Sequence, residues 1–361
     1  VRLWSWAIGW GMVRFAYTTA ESAAMPLPPW HPEAFAARLP FLERRAALTA
    51  ATRAYFTAHG YREVETPALV PAPGAEVHLR AFGTRYEAHL GQGASRDLWL
   101  RTSPELALKR LLVAGAGPVF ELARVWRNGE TSPRHAPEFT MLEWYRPGLG
   151  LEGLMAETEE YVRAVAPRIV AHGAVTTDLS LPFERISMAE AFDRWCNRLD
   201  ILATEGDAAR LHAAARAAGF ATSADEGWED VFFRLLLDHI EPKLGRGRAT
   251  FLTHWPAPQA ALARRDPADP RAALRFELFV AGLELANAFD ELTDAGEQRA
   301  RFIADTAERR CISGERGWEV DEDFLMALEH GMPATSGIAL GFDRLAMLVS
   351  GAREIGDVLW L

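Results

Sequence analysis

Four short stretches of this chain carry side chains suited to chemistry. Read as a strand, Glu138 to Tyr145 alternates its faces, so Phe139, Met141, Glu143 and Tyr145 share one side. An aromatic ring, a carboxylate and a phenol on one face suit a cationic, partly planar ligand better than a dry core. Ahead of it, Val125-Trp126-Arg127-Asn128 ends a strand and leads into a loop holding Glu130, Arg134 and His135. The planar arginine fork matches phosphate oxygens two at a time, so Arg127 beside a basic loop could hold a nucleotide phosphate. The stretch from Glu284 to Glu291 offers Glu284, Asp290 and Glu291 with the amide of Asn287. Mg²⁺ takes hard oxygens, commonly one or two carboxylates plus substrate phosphates. In a flat strand Glu284 and Glu291 would face opposite sides, so a shared metal requires a bulge or break between them. Finally, Gly337-Ile338-Ala339-Leu340-Gly341 is an apolar strand that passes through Gly341 into a helix carrying Arg344. Glycine lets a ligand approach the backbone, a helix N-terminus favours anions, and Arg344 could meet a terminal phosphate or lie over an adenine ring.

Each stretch also has a plainer reading. Glu143 could reach solvent from a half-buried strand, Arg127 could be a surface ion-pair partner, and the acids near 284–291 could be a solvated edge. Gly before a helix is ordinary. Singly, none of the four specifies a function.

The elements that must position them follow from periodicity and punctuation. Residues 26–40 are proline-rich and read as an extended lead-in. Phe41, Leu42, Leu48, Ala51, Tyr55 and Phe56 form a helical stripe over 41–59, with Gly60 as the stop. A strand over 62–66 meets Pro67, and 98–102 reads as another. Ser103-Pro104-Glu105 opens a helix with an N-cap, a first-turn proline and an acid. Strands at 119–127 and 138–146 pair across a loop carrying Gly129, Ser132 and Pro133. Residues 151–165 read as helix, and 189–240 as a mostly helical insertion packed on the sheet. Strands are expected at 249–253 and 275–280, from Leu283 after a turn at 281–282, and at 337–340, before a helix over 342–350. Strands outnumber βαβ crossovers, which predicts an α+β fold, an antiparallel sheet flanked by helices.

Bulk composition bounds the partners. The chain has 361 residues, 49% hydrophobic and 24% charged, as in a globular domain. A net charge of −10 argues against a long phosphate-tracking surface, so tRNA is not an expected partner. Cys196 and Cys311 form no CxxC pair, and read as reduced thiols in a cytoplasmic protein rather than a zinc site or disulfide. No apolar run is long enough to cross a membrane. Residues 1–24 mimic a leader only loosely and are expected to be a non-native or disordered extension before Met25, with the domain covering 25–361.

In this order the stretches resemble the three motifs of class II aminoacyl-tRNA synthetases. The helix, strand and Pro67 resemble motif 1, 120–145 with WRN and HAPEFTMLEWYRP resembles motif 2, and GIALGFDRLAML resembles motif 3. FLTHWPAPQAALARR and RFELFVAGLELANAFDELTD resemble the lysine-specific branch. Within it the chain looks like the truncated lysyl-tRNA synthetase paralogues that attach β-lysine to a lysine of elongation factor P. The region resembling motif 1 starts near residue 41, which leaves too little chain ahead for an anticodon-binding barrel. GPVFELARVWRN and TMLEWYRP look more like the paralogues, as does Ala339, where the synthetases typically carry Gly. The resemblance runs from 41 to 361.

It implies an adenylate-forming ligase. The amino-acid carboxylate attacks the α-phosphorus of ATP, and a lysine amine of elongation factor P then attacks the adenylate. Ser103, Pro104, Glu105, Glu143, Tyr145, Asn287, Glu291 and Ala339 would surround lysine or (R)-β-lysine, with Glu143 neutralising an ammonium. Arg127, Asn128, Phe139, Glu284, Leu285, Gly341 and Arg344 would hold ATP, with Arg127 and Arg344 catalytic and Mg²⁺ on Glu284 and Glu291. Motif 1 implies a homodimer. Against the family pattern, Gly129 replaces an acid, Ala136 an Asn, Ala288 a Gly and Asp290 a His. A tRNA-charging catalytic domain and a non-catalytic regulatory subunit stay open as alternatives.

Overall fold

The computed structural model describes residues 27–360 apart from 75, 90, 260–261 and 314–316; the expected extension over 1–24 lies outside the described residues. Helix α1 (Pro32–Ala58) opens on His31, whose ring nitrogen accepts from the Glu33 amide, with Pro32 in the first turn where an N–H is not needed. It therefore starts inside the stretch expected to be extended, and it runs through Pro40. Leu42, Leu48, Tyr55 and Phe56 are buried along one side of it. Four such side chains, at about 1.5–3 kcal/mol each, outweigh the ~3 kcal/mol an interior proline costs. Gly60 takes φ +79°, the left-handed stop that the sequence suggests.

Strand β1 (Arg62–Glu63) is shorter than expected, because Thr66 turns away to bond the Glu121 carboxylate through its amide and hydroxyl. Strand β2 (Leu69–Val70) joins β3 (Gly83–His89) and β4 (Gln92–Leu100) in a small three-stranded sheet. Helix α2 (Glu105–Val113), β5 (Val119–Trp126), β6 (Glu138–Pro147) and α3 (Gly150–Val165) follow close to their expected places. Helix α2 begins after Pro104, one residue later than expected, with the Ser103 hydroxyl accepting from the Glu105 amide. A hairpin of β7 (Ile169–His172) and β8 (Val175–Asp178) precedes β9 (Glu184–Ser187); none of these three had a clear sequence signal.

Helices α4 (Met188–Trp195), α5 (Ala208–Ala217) and α6 (Trp228–Leu235), closed by a π turn at Leu236–Ile240, share an apolar cluster with Leu252, Trp255 and Phe279 of the sheet. Strands β10 (Thr250–Pro256), β11 (Ala272–Val280) and β12 (Leu283–Asp290) are longer than the sequence suggested at β10 and β11. Helices α7 (Ala295–Ser313) and α8 (Glu322–Gly331), unassigned from sequence, lead to β13 (Thr335–Gly341), α9 (Phe342–Ser350) and the short α10 (Ile355–Val358).

The main sheet has eight strands in the order β1-β5-β6-β13-β12-β11-β10-β9. Only the outer pairs β1/β5 and β10/β9 are parallel. This is the antiparallel α+β architecture read from the sequence. One face is the apolar core. Leu142 and Trp144 of β6, Ile338 and Leu340 of β13 and Phe276 and Leu278 of β11 pack there against α1, α3 and α9. The alternate residues face the other way, and a cavity opens over them. Both thiols are free, Cys196 buried and Cys311 exposed. Among the described residues no helix is long and apolar enough to cross a membrane.

Candidate active site

A cavity of about 680 Å³ lies over the central strands, within the usual size for a small-molecule site. Strand β6 contributes Phe139, Met141 and Glu143 to its wall, the face that alternation predicts. Strand β13 contributes Ala339 and Gly341, and the start of α9 adds Arg344. Ala339 stands opposite Glu143 on one side and Asn287 on the other.

Strand β12 reaches the cavity through a bulge. Glu284 pairs with Phe279, but Ala286 pairs with Leu278, so Leu285 is an extra residue. The shift turns Glu284, Asn287 and Phe289 towards the same side, and all three line the cavity with Leu285. The Asn287 side-chain oxygen accepts from Arg275 at 3.1 Å.

One end of the cavity carries two arginines and an aromatic ring. The Arg127 guanidinium carbon lies 5.2 Å from the Phe139 ring centre. Arg344 donates to the Glu284 carbonyl at 2.7 Å and contacts His135 Nε2 at 2.7 Å. Arginine only donates, so Nε2 holds a lone pair and Nδ1 carries the proton, facing Ser132 Oγ at 2.7 Å. Burial and the Arg344 charge push the His135 pKa down, consistent with that neutral tautomer. Helix α9 is anchored from below. Asp343 pairs with Arg45 of α1 and accepts from the Thr140 amide of β6 at 2.9 Å, while Arg45 also donates to Thr140 Oγ1 at 2.9 Å. The acid sits in the first turn, where the helix dipole favours it.

The other end is acidic and buried. Glu143 is fully buried; it accepts from Ser103 Oγ at 2.6 Å and from the Tyr145 hydroxyl at 3.0 Å. Burial, with the Glu105 charge nearby, pushes its carboxyl up to about 8. Glu105 lines the cavity and is raised in the same way by burial. Behind it, Lys109 lies 2.6 Å from Glu105 and 2.6 Å from Glu291. A Cβ added at Gly337 would overlap the Tyr145 ring and stand 2.7 Å from Glu291 Oε1, so this position has room only for glycine.

Ser103, Glu105, Arg127, Phe139, Glu143, Glu284, Leu285, Asn287, Ala339, Gly341 and Arg344 thus meet in one cavity. Four other expected site residues stand off its wall. Pro104 caps α2, Tyr145 sits behind Glu143, Glu291 is buried against Lys109, and the Asn128 amide bonds the Arg80 carbonyl at 2.7 Å. The expected Mg²⁺ pair does not fit this arrangement. Glu284 is on the wall, but Glu291 is fully buried in its ion pair. Among the described residues no three His, Cys, Asp or Glu side chains form a metal-ligand cluster.

Three of the four departures from the family pattern stand off the cavity wall. Gly129 takes φ +86°, which turns the loop so that the neighbouring Glu130 lines the cavity. Ala288 is buried in the core on the opposite face. Asp290 holds Arg264 through two bonds of 2.7 and 2.8 Å. Ala136 alone of the four lines the cavity. Lys109, Arg45 and Asp343 escaped the sequence reading. The Glu105 and Lys109 spacing was visible, but it is also the spacing of an ordinary solvent-exposed helix pair.

Residues 37–361 match the family described as tRNA synthetases class II (D, K and N). A protein of Klebsiella pneumoniae subsp. pneumoniae is 42% identical over 334 residues, 91% of this chain and 96% of its own length. Proteins of Haemophilus influenzae strain PittGG and Erwinia tasmaniensis are each 41% identical, over 331 and 332 residues, again 91% of this chain and 96% of theirs. All three are named elongation factor P--(R)-beta-lysine ligase. With the motif residues gathered on one antiparallel sheet, the chain belongs to the class II tRNA synthetase (D, K and N) family.

Proposed function

We propose that this chain is a ligase that activates (R)-β-lysine, or lysine, with ATP and transfers it to a lysine side chain of elongation factor P. The observation that carries this reading is the pairing, within one cavity, of an arginine-and-phenylalanine end with a buried carboxylate end. The first suits a nucleotide, the second an amino acid bearing ammonium groups. The relatives named above, alike over nine-tenths of the chain, support the choice of amino acid and partner.

ATP would lie with its adenine against Phe139 and its phosphates towards Arg127 and Arg344. The amino-acid carboxylate attacks the α-phosphorus and pyrophosphate leaves. Positioning and charge neutralisation dominate such a step. The adenylate carbonyl is then attacked by a neutral lysine amine; a C–N bond forms, the C–O bond to AMP breaks, and the ammonium proton is lost. Mg²⁺ would enter with the nucleotide phosphates, for which Glu284 is the wall carboxylate. A homodimer through the region resembling motif 1 belongs to the same reading.

Two features weigh against a regulatory subunit without catalysis. The substitutions at 288 and 290 leave the cavity untouched, and Glu130 stands where the loop presents an acid. The test is direct. Elongation factor P incubated with this protein, ATP and each lysine isomer, then weighed intact, should gain one aminoacyl group, and more readily from (R)-β-lysine. Neither isomer adding mass, with no amino-acid-dependent ATP–pyrophosphate exchange, would sink the reading.

A further inference from the structure

We infer that Lys109 is a positioning residue for amino-acid recognition, an internal ammonium that holds Glu105 and Glu291 in place for the ammonium brought by the substrate. The inference deepens the amino-acid reading above and rests on it.

Lys109 sits one helical turn after Glu105 on α2, and its side chain is 1% exposed. A lysine buried alone loses its proton. Here two carboxylates at 2.6 Å, one from its own helix and one from the end of β12, keep it charged. The surrounding charges do not balance. Glu105, Glu143 and Glu291 are three buried acids, and among the described residues Lys109 is the cation paired with two of them, Glu105 and Glu291. Glu76, also on the cavity wall, adds to the negative field at Glu105. When these acids are ionised the pocket is short of positive charge, and a substrate ammonium can supply it.

Lys109 does not fill that role itself. It lies behind the wall, whereas Glu105 and Glu143 are on it. Both Glu291 oxygens are buried without a hydrogen-bond partner among the described residues, Oε2 meeting Lys109 as an ion-pair partner. Buried acceptors are rarely left so; Glu291 stands behind the wall, so its part is to share Lys109 with Glu105, which is on it. Without the lysine charge, Glu105 and Glu291 would repel each other, take up protons and turn apart.

The test is calorimetric binding of (R)-β-lysine and, separately, of ATP to the full-length protein. Lys109→Met should weaken amino-acid binding at least about ten-fold, the scale expected when a buried charge partner is lost, and leave ATP affinity within about two-fold. Lys109→Arg, which keeps the charge, should recover most of the loss. If Lys109→Met fails to fold, Lys109→Gln, which keeps donors to both acids without the charge, makes the same comparison. Unchanged amino-acid affinity would overturn the inference, and so would an equal loss for ATP, the mark of a merely structural role. Wild-type protein that binds ATP but neither lysine isomer would instead remove the amino-acid reading itself.

Discussion

At the scale of single residues, Glu143 is where burial and function meet. Its carboxyl is pushed up to about 8 by burial first and the Glu105 charge second, so at pH 7 the protonated form is favoured. An arriving ammonium favours the ionised form. Amino-acid affinity should therefore rise with pH up to about 8, and binding at pH 7 should release a proton. Calorimetry in buffers of different ionisation enthalpy measures this; an enthalpy independent of buffer would contradict it. Glu143→Gln should raise the amino-acid KM about ten-fold or more, as loss of a buried charge partner does, with little change in the KM for ATP. Ala339 has a subtler part. Its methyl stands between Glu143 and Asn287, and Ala339→Gly would open that space. The kcat/KM for lysine should rise relative to (R)-β-lysine; an unchanged ratio would show that the methyl does not select. The side of β6 carrying Glu143 was legible in the sequence because strand alternation is rigid. Lys109 was not, because spacing on a helix does not tell which turn is buried.

At the scale of elements, two devices aim the side chains. The bulge at Leu285 brings Glu284 to the same face as Asn287; from spacing a break was expected only as the condition for Glu284 and Glu291 to share a metal. Its position was not legible, since register depends on the partner strand. The second device is Arg45, which ties α1, β6 and α9 together through Asp343 and Thr140. Asp343 is 1% exposed, so Arg45→Met would leave a buried acid with no cation. Breaking such a pair typically destabilises by about 3–5 kcal/mol. Denaturant unfolding should show that loss, and the Arg45→Met/Asp343→Asn pair should recover part of it. A change under about 1 kcal/mol would mean the pair behaves as a surface contact. Nothing in the sequence linked positions 45 and 343, because the bond exists only once the helices pack. The start of α1 was misjudged for the reverse reason: the prolines were visible, and the tertiary burial that overrides one of them was not.

At the scale of the molecule, charge separates the two acceptors that a class II ligase can serve. A tRNA acceptor presents a dense row of phosphates, and proteins that track it release counterions, so binding falls steeply with salt. This chain carries 39 Lys and Arg against 49 Asp and Glu, and several of its arginines are already engaged with acids, Arg264 with Asp290 and Arg271 with Asp269 among them. Acids also frame the cavity at Glu76, Glu229, Asp305 and Glu308. With acids outnumbering arginines along the cavity wall, an incoming lysine ammonium would be favoured over a row of phosphates. Burial and the neighbouring Glu308 charge raise the Asp305 carboxyl to about 6, so the negative field should strengthen as pH rises through 6. Transfer to elongation factor P should accordingly be faster at pH 7.5 than at pH 5.5. It should also slow as salt screens the attraction, over a Debye length of about 8–10 Å near physiological ionic strength. Filter binding with tRNA should give no complex with a steep salt slope, and a tight, strongly salt-dependent complex would reassign the acceptor to nucleic acid.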